Sequence, residues 1–242
     1  MTGRFSLTHP AAAVAARFAI AEVEPFPPRY NIAPTQPILI VIGGKGQRPE
    51  AYRPGHQAML ARWGLIPSWC RDPSAAPLLY NARAETVLER NAFRAAFLYR
   101  RCIVPASGFY AWVKGPAEGA AVPHYVQPAD GRMMALAGLL ETYMAPDGGE
   151  IDTVALLTRT STGRLAPLGP REPVLLAPDG EAGWLDCLSV GADEAAAICM
   201  RRPTAELAIE RVSDRVNSVA NLSPDVQAPA DRQAPGGERP PG

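Results

Sequence analysis

Apolar runs in this chain of 242 residues are short and strand-sized, and they alternate irregularly with helical stretches. A doubly wound sheet needs a steady strand-helix-strand rhythm, which is absent, so the expected class is α+β. Residues 38–42, 59–65, 101–104, 108–113, 125–127, 133–140 and 153–157 read as strands, the first closed by the turn Gly43-Gly44-Lys45-Gly46. Residues 11–22, 84–98 and 192–202 read as helices, and 204–210 as a further one. Thr8 is the expected N-cap of the first helix, and Pro25, Pro27 and Pro28 its stop. Residues 114–122 read as a Gly/Ala/Pro loop. One domain over residues 2–222 is expected, followed by a Pro/Gly-rich tail, 223–242, with too little apolar surface to order.

The chain is 47% hydrophobic, ample for a core, and its formal net charge is zero. A zero balance excludes a uniformly basic body, so any nucleic-acid site has to be a local patch. Lys45 and Lys114 are the only lysines among 24 basic residues. Arginine suits planar, bidentate phosphate contacts, although codon bias of a GC-rich genome gives the same composition. Cys70, Cys102, Cys187 and Cys199 lie far apart, and His9, His56 and His124 pair with none of them at ligand spacing. Neither a zinc site nor any other metal or cofactor is expected, and the thiols read as free groups of a reducing compartment. The alanine-rich run at 11–16 is interrupted by Arg17, and no apolar run reaches membrane-spanning length, so a cytoplasmic protein is expected.

Four ordered segments carry most of the information: Tyr30-Asn31-Ile32-Ala33-Pro34-Thr35-Gln36, Trp63-Gly64-Leu65-Ile66-Pro67-Ser68-Trp69, Asn81-Ala82-Arg83-Ala84-Glu85-Thr86, and Arg101-Cys102-Ile103-Val104-Pro105-Ala106-Ser107-Gly108-Phe109-Tyr110. With the start Met1-Thr2-Gly3-Arg4-Phe5 they resemble the SRAP family, SOS-response-associated proteins that capture abasic sites in single-stranded DNA. The resemblance implies a single domain of mixed, largely antiparallel strands curled into a partial barrel with flanking helices.

It also implies a chemistry. Removal of Met1 frees an α-amine at residue 2, whose ordinary pKa of roughly 7.7–8.0 leaves part of it neutral and nucleophilic. In the family that residue is cysteine, whose amine forms a Schiff base with the ring-opened sugar and whose thiol closes it to a stable thiazolidine. Here it is Thr2, a weaker ring-closing nucleophile, so a reversible imine is the most it supports; alternatively Thr2 is an ordinary terminal residue. The family glutamate that assists proton transfer is Ala111, and the histidine two residues before Arg171 is Gly169. Asn81, which positions the aldehyde and amine in the family, persists. Three of four chemical groups are replaced within matching segments, the pattern of a degenerate paralogue.

The binding residues match better. The resemblance assigns phosphate contacts to Arg4, Arg83 and Arg171; the alternative for Arg83 is an ion pair with Glu85 or Asp72. It assigns base stacking and duplex-edge wedging to the Trp63–Trp69 segment, Trp69 being the expected exposed ring, while Trp112 and Trp184 read as core. Asn31, Pro34 and Thr35 form a loop near DNA by resemblance, and merely a turn by sequence. Three readings follow: noncovalent binding of single-stranded or junction DNA with abasic sites, by a monomer; a residual enzyme forming a transient Schiff base through Thr2; or a protein-interaction module without DNA. The family is also an autopeptidase that removes its own Met1, an activity that the exchange of cysteine for Thr2 removes from expectation.

Overall fold

The computed structural model describes residues 3–43, 55–115 and 121–230. In chain order its elements are β1 (Phe5–Leu7), α1 (Ala11–Phe18), β2 (Arg29–Ile32), β3 (Pro37–Ile42), β4 (Gln57–Trp63), β5 (Asn81–Arg83), α2 (Asn91–Tyr99), β6 (Arg101–Ala106), β7 (Gly108–Lys114), β8 (Ala121–Pro128), β9 (Met134–Met144), β10 (Glu150–Thr160), β11 (Arg171–Pro173), α3 (Glu181–Leu185), α4 (Ala192–Met200) and β12 (Leu207–Arg211). One sheet runs β12-β8-β7-β1-β2 and is antiparallel throughout. The other runs β11-β10-β4-β3-β6-β9, and β9 pairs back onto β10, so five of its strands close into a small barrel. Closure removes the exposed edges of those strands. Strands β4 and β5 both pair with β10 in parallel. The α+β partial barrel expected from the sequence is the observed fold.

The apolar runs fill the space between the sheets. Ile38, Ile40, Ile103, Leu136, Leu139, Val154 and Leu156 are all fully buried in one continuous core. Arg101 is buried with them, and its guanidinium donates to the carbonyls of Phe97, Trp184, Asp186 and Val190, tying α2, β6 and α3 together. Trp184 is core, as expected, and donates from Nε1 to the Cys102 carbonyl. Cys102 and Cys199 are buried free thiols, and burial pushes both up, Cys199 to about 12.

Several boundaries differ from the sequence expectation. α1 buries Ala11, Val14 and Phe18 along one stripe and stops at Ala19, which is left-handed at φ 51°, well before the prolines. Its N-cap is Pro10; the Thr8 hydroxyl instead donates to Ser107 Oγ. The expected 84–98 helix is split into a 3-10 turn, Ala84–Thr86, and α2, because Arg90 is extended. Residues 204–210 are not helical: Leu207 and Ile209 alternate onto the core at a period of two, and β12 pairs along β8. The Gly43–Gly46 turn falls mostly outside the described residues.

Folded structure also continues past 222. Residues Pro224–Gln227 form a 3-10 turn that buries Val226 beside Tyr110, Tyr125, Val212 and Val216, and Ser213 N–H donates to the Ala228 carbonyl. The expectation of a tail without order from 223 is therefore corrected as far as residue 230; residues 231–242 lie outside the described set.

Candidate nucleic-acid interface

Strand β5 carries the Asn81-Ala82-Arg83 segment. Its parallel register on β10, with Leu156 beside Asn81 and Thr158 beside Arg83, puts Asn81, Arg83 and Thr158 on one face. On the other side of β10, Arg171 of β11 pairs with Thr160, two residues along from Thr158 and so on that same face. The structure thus gathers three of the expected site residues, Asn81, Arg83 and Arg171, around one end of β10.

They are not equivalent. Arg83 is exposed and has no hydrogen-bond or ion-pair partner among the described residues. The anticipated ion pair of Arg83 with Glu85 or Asp72 does not form: Arg171 takes Glu85, donating from Nη1 to Oε1 and from Nη2 to Oε2, both at 2.8 Å. Arg171 also donates to the Thr158 carbonyl and hydroxyl. A fork already closed on a carboxylate is a latch between β11 and the turn after β5. A phosphate reaches it only by competing with Glu85.

Partial burial pushes the Glu85 carboxyl up, but hydrogen bonds from Arg171 and from the backbone, with the Arg171 charge, outweigh that and hold it at about 2, against an ordinary 4.5. A depressed carboxylate pKa means the unfolded chain binds the proton more readily. The pair's contribution is therefore complete above about pH 4.5 and is lost as pH falls toward about 2. Acid titration of thermal stability should show Glu85→Gln converging on wild type over that interval and lying below it at neutral pH. Parallel curves for the two proteins at all pH values would contradict the assignment.

The chain start lies beside this face. Trp63 is fully buried, meets Phe5 and Tyr80 edge-to-face with centroids 5.2 and 6.0 Å away, and donates from Nε1 to the Tyr80 carbonyl. A ring with no exposed surface cannot stack on a base, so Trp63 is corrected from a binding residue to a brace that fixes β1 against the residue before Asn81. Trp69 is the exposed member, at 66%. It follows the Ile66-Pro67 turn, which forms one wall of a cavity of about 300 Å³ that Thr35, Arg62, Pro77 and Leu78 also line.

Pro34 and Thr35 make the tip of the β2–β3 turn, which the Gln36 N–H closes onto the Ala33 carbonyl. Thr35 is exposed with φ 75°, and its N–H donates to the Trp63 carbonyl at 2.7 Å. A β-branched residue in left-handed backbone costs about 1–3 kcal/mol, and such strain clusters where function requires it. Asn31 is different. It is 2% exposed, accepts from Arg4 Nη1, and donates to the carbonyls of Val216, Ser218 and Asn221. Those contacts spend both ends of the amide on the C-terminal segment, so Asn31 is corrected from a DNA contact to a clamp.

Arg4 shares that clamp through the carbonyls of Val216 and Asn217 and lies 6.0 Å over Trp112. Burial lowers its pKa from the ordinary value. All its hydrogen bonds go to neutral oxygens, so its charge stays uncompensated by any described carboxylate. Trp112 is half-buried rather than core, and donates to Asn217 Oδ1.

Thr2 lies outside the described residues, but its neighbour does not. Tyr110 N–H donates to the Arg4 carbonyl, which extends the β1–β7 pairing and sets Gly3 alongside Ala111. A Cβ built on Gly3 would lie 3.8 Å from the Tyr80 ring. The register across the sheet then continues from Ala111 to His124 on β8 and from His124 to Arg211 on β12. Sequence reasoning did not anticipate that His124 and Arg211 continue this row, because pairing partners so far apart leave no local signal. Gly169 has φ 143° and ψ 170°, a region that only glycine populates readily. A side chain at this position is therefore strained by the backbone whatever space surrounds it. Among the described residues there is no cluster of three or more metal-ligating side chains, and no helix is long and apolar enough to cross a membrane.

A family model described as SOS response associated peptidase (SRAP) matches residues 1–219. The abasic site processing protein YoqW of Bacillus subtilis (strain 168) is 31% identical over 93% of this chain and 98% of its own. YoaM of the same organism is 31% identical over 93% and 97%. The HMCES protein of Gallus gallus is 27% identical over 86% of this chain and 68% of its own. Among solved structures, a protein from Bacteroides thetaiotaomicron superposes with a TM-score of 0.77 at 22% identity, over 94% of this chain and 99% of that one.

Proposed function

Because the chain belongs to the SOS response-associated peptidase (SRAP) family, we propose that it binds single-stranded or junction DNA at abasic sites, as a cytoplasmic monomer, and without the stable crosslink. The carrying observation is the exposed, unpartnered Arg83 next to Asn81 on one face, with the chain start braced alongside by Trp63. Arg4 adds an uncompensated charge and Trp69 an exposed ring. Base stacking of such a ring is worth about 1–3 kcal/mol. The relatives named as abasic site processing proteins support the substrate. Thr2, Ala111 and Gly169 support the absence of a thiazolidine.

A second reading, a transient imine at the Thr2 α-amine, is favoured by the position of Gly3 between Ala111 and the Tyr80 ring. Reductive trapping with borohydride on abasic single-stranded DNA separates the two: an adduct that depends on the reductant supports the imine, and none leaves noncovalent binding alone.

The binding itself has a quantitative signature. Each phosphate contact on a single strand contributes a slope of about −0.7 in log K against log salt. Arg83→Ala should weaken binding of an oligonucleotide severalfold at 0.1 M salt and flatten that slope by about 0.7, measured by fluorescence anisotropy. Binding with no salt dependence in wild type would favour a protein-interaction role instead.

A further inference from the structure

We propose that the cavity behind the Ile66-Pro67 turn takes the base of a nucleotide flanking the abasic sugar, and that Arg62 makes guanine the preferred one; the inference rests on the DNA-binding reading above. Strand β4 ends in Ala61-Arg62-Trp63, with Ala61 and Trp63 buried in the core. Side chains alternate along a strand, so Arg62 leaves the core on the other face, where it lines the cavity. Its Nη1 donates to the Gly64 carbonyl at 2.9 Å. Gly64 has φ 137°, and a Cβ built on it would lie 2.9 Å from Arg62 Nη1 and 2.6 Å from Leu78 Cδ1. Glycine is therefore what lets the guanidinium and the Leu78 side chain lie against the backbone of this turn.

The rest of the guanidinium is unspent. Arg62 has no carboxylate and no second hydrogen-bond acceptor among the described residues, so the two-donor fork of Nε and Nη2 stays open. The polar groups nearest to it are committed elsewhere. Thr153, its register partner on β10, accepts from the Ile66 N–H and donates to the Glu141 carbonyl. Asp72, beside the wall residue Pro73, accepts from the N–H and hydroxyl of Ser74.

The walls decide what the fork receives. Leu65, Ile66, Pro67, Pro77 and Leu78 are apolar, and a phosphate placed against them loses hydration without recompense. A nucleobase has apolar faces for such walls and a polar edge for the fork, and a volume of about 300 Å³ suits one small ligand. Guanine presents O6 and N7 as adjacent acceptors, which an arginine fork pairs with bidentately, whereas adenine sets an amino donor beside N7. The place is also right. Leu65 bridges to Leu79, and Leu78 is three residues before Asn81, at most about 11 Å of chain. Thr35, at the tip of the β2–β3 turn, closes another side. An unstacked base next to the sugar at Asn81 is thus within reach, and unstacked bases are read on such edges.

The test is fluorescence anisotropy of the full chain with labelled single-stranded oligonucleotides that carry one abasic site, flanked on both sides by dG, dA or dT. The dG strand should bind about 5-fold or more tightly than the dA strand, the low end of what a bidentate arginine–guanine pair supplies. Replacing dG by 7-deazaguanine, which lacks the N7 acceptor, should abolish the preference without any change to the protein. Arg62→Lys keeps the charge and a donor for the Gly64 carbonyl but not the fork, and should bind the dG and dA strands alike with the wild-type salt slope. Arg62→Met should also lose the preference and keep the slope. An equal loss on all strands with the slope flattened by about 0.7 makes Arg62 a phosphate contact and overturns the inference. A guanine preference that survives either variant or 7-deazaguanine overturns it as well. Salt-dependent binding that ignores the flanking base overturns the inference and leaves the DNA-binding reading standing, whereas no binding to any strand overturns both.

Discussion

Thr2→Cys should convert a protein that forms no lasting bond to abasic DNA into one that forms a heat-stable conjugate without reductant. The expected change is from no detectable adduct to one visible by denaturing electrophoresis within an hour. The reason is chemical. An imine made by the Thr2 amine hydrolyses at a rate set by water, whereas a neighbouring thiol closes onto the imine carbon faster than a hydroxyl does. Three features stand beside the chain start: Asn81 on β5, Gly3 next to the Tyr80 ring, and Trp63 holding β1 against them. Adding Ala111→Glu should accelerate the reaction without changing its end point. Gly169→His should not help and should destabilise the loop, because the backbone at φ 143° strains any side chain there whatever space surrounds it. A Thr2→Cys protein that binds abasic DNA but never crosslinks would mean that the chain start does not reach the sugar.

Glu172→Gln should cost about 3–5 kcal/mol, the range for removing one partner of a buried ion pair. Glu172 accepts from Arg159 Nε at 2.9 Å and from Arg202, with the Arg159 and Glu172 side chains 2% and 3% exposed. Arg159 also donates to the carbonyls of Cys199 and Arg201, so the pair joins β10 and β11 to the end of α4. The neutral amide leaves a guanidinium in the interior with hydrogen bonds but no counter-charge. Against a typical total of about 5–15 kcal/mol, that loss moves the urea midpoint by a large fraction of its value. Because Glu172 directly follows Arg171 in β11, the same change should also loosen the Arg171–Glu85 latch. A loss under about 1 kcal/mol would contradict the assigned burial.

The sequence made the class of fold legible because strand-sized runs and helical stretches are local patterns. It failed where tertiary pairing overrides local preference. Residues 204–210 carry helix-forming residues, yet Leu207 and Ile209 find a sheet edge on β8 and a core beneath it. The 84–98 stretch has helical periodicity, but Arg90 must be extended for the chain to turn into α2. Among the expected site residues, Asn81 and Arg83 share a face because one short strand carries both. Trp63 and Trp69 flank one turn, and only packing tells which is inside. The partners of Arg171 and Asn31, Glu85 and the 216–221 carbonyls, lie 86 or more residues away and leave no local signal. Gly169 was legible as a letter; its left-handed backbone, at φ 143°, was not.

The central claim is that an abasic-site cleft persists here without the group that makes capture permanent. Mass spectrometry of the intact protein, after exposure to an abasic single-stranded oligonucleotide with and without borohydride, tests it most directly. The prediction is a protein that is unmodified in the absence of reductant. With borohydride present, it should be shifted by the mass of one reduced oligonucleotide adduct, or remain unshifted if binding is noncovalent alone. A full adduct that forms without reductant and survives heating would contradict it.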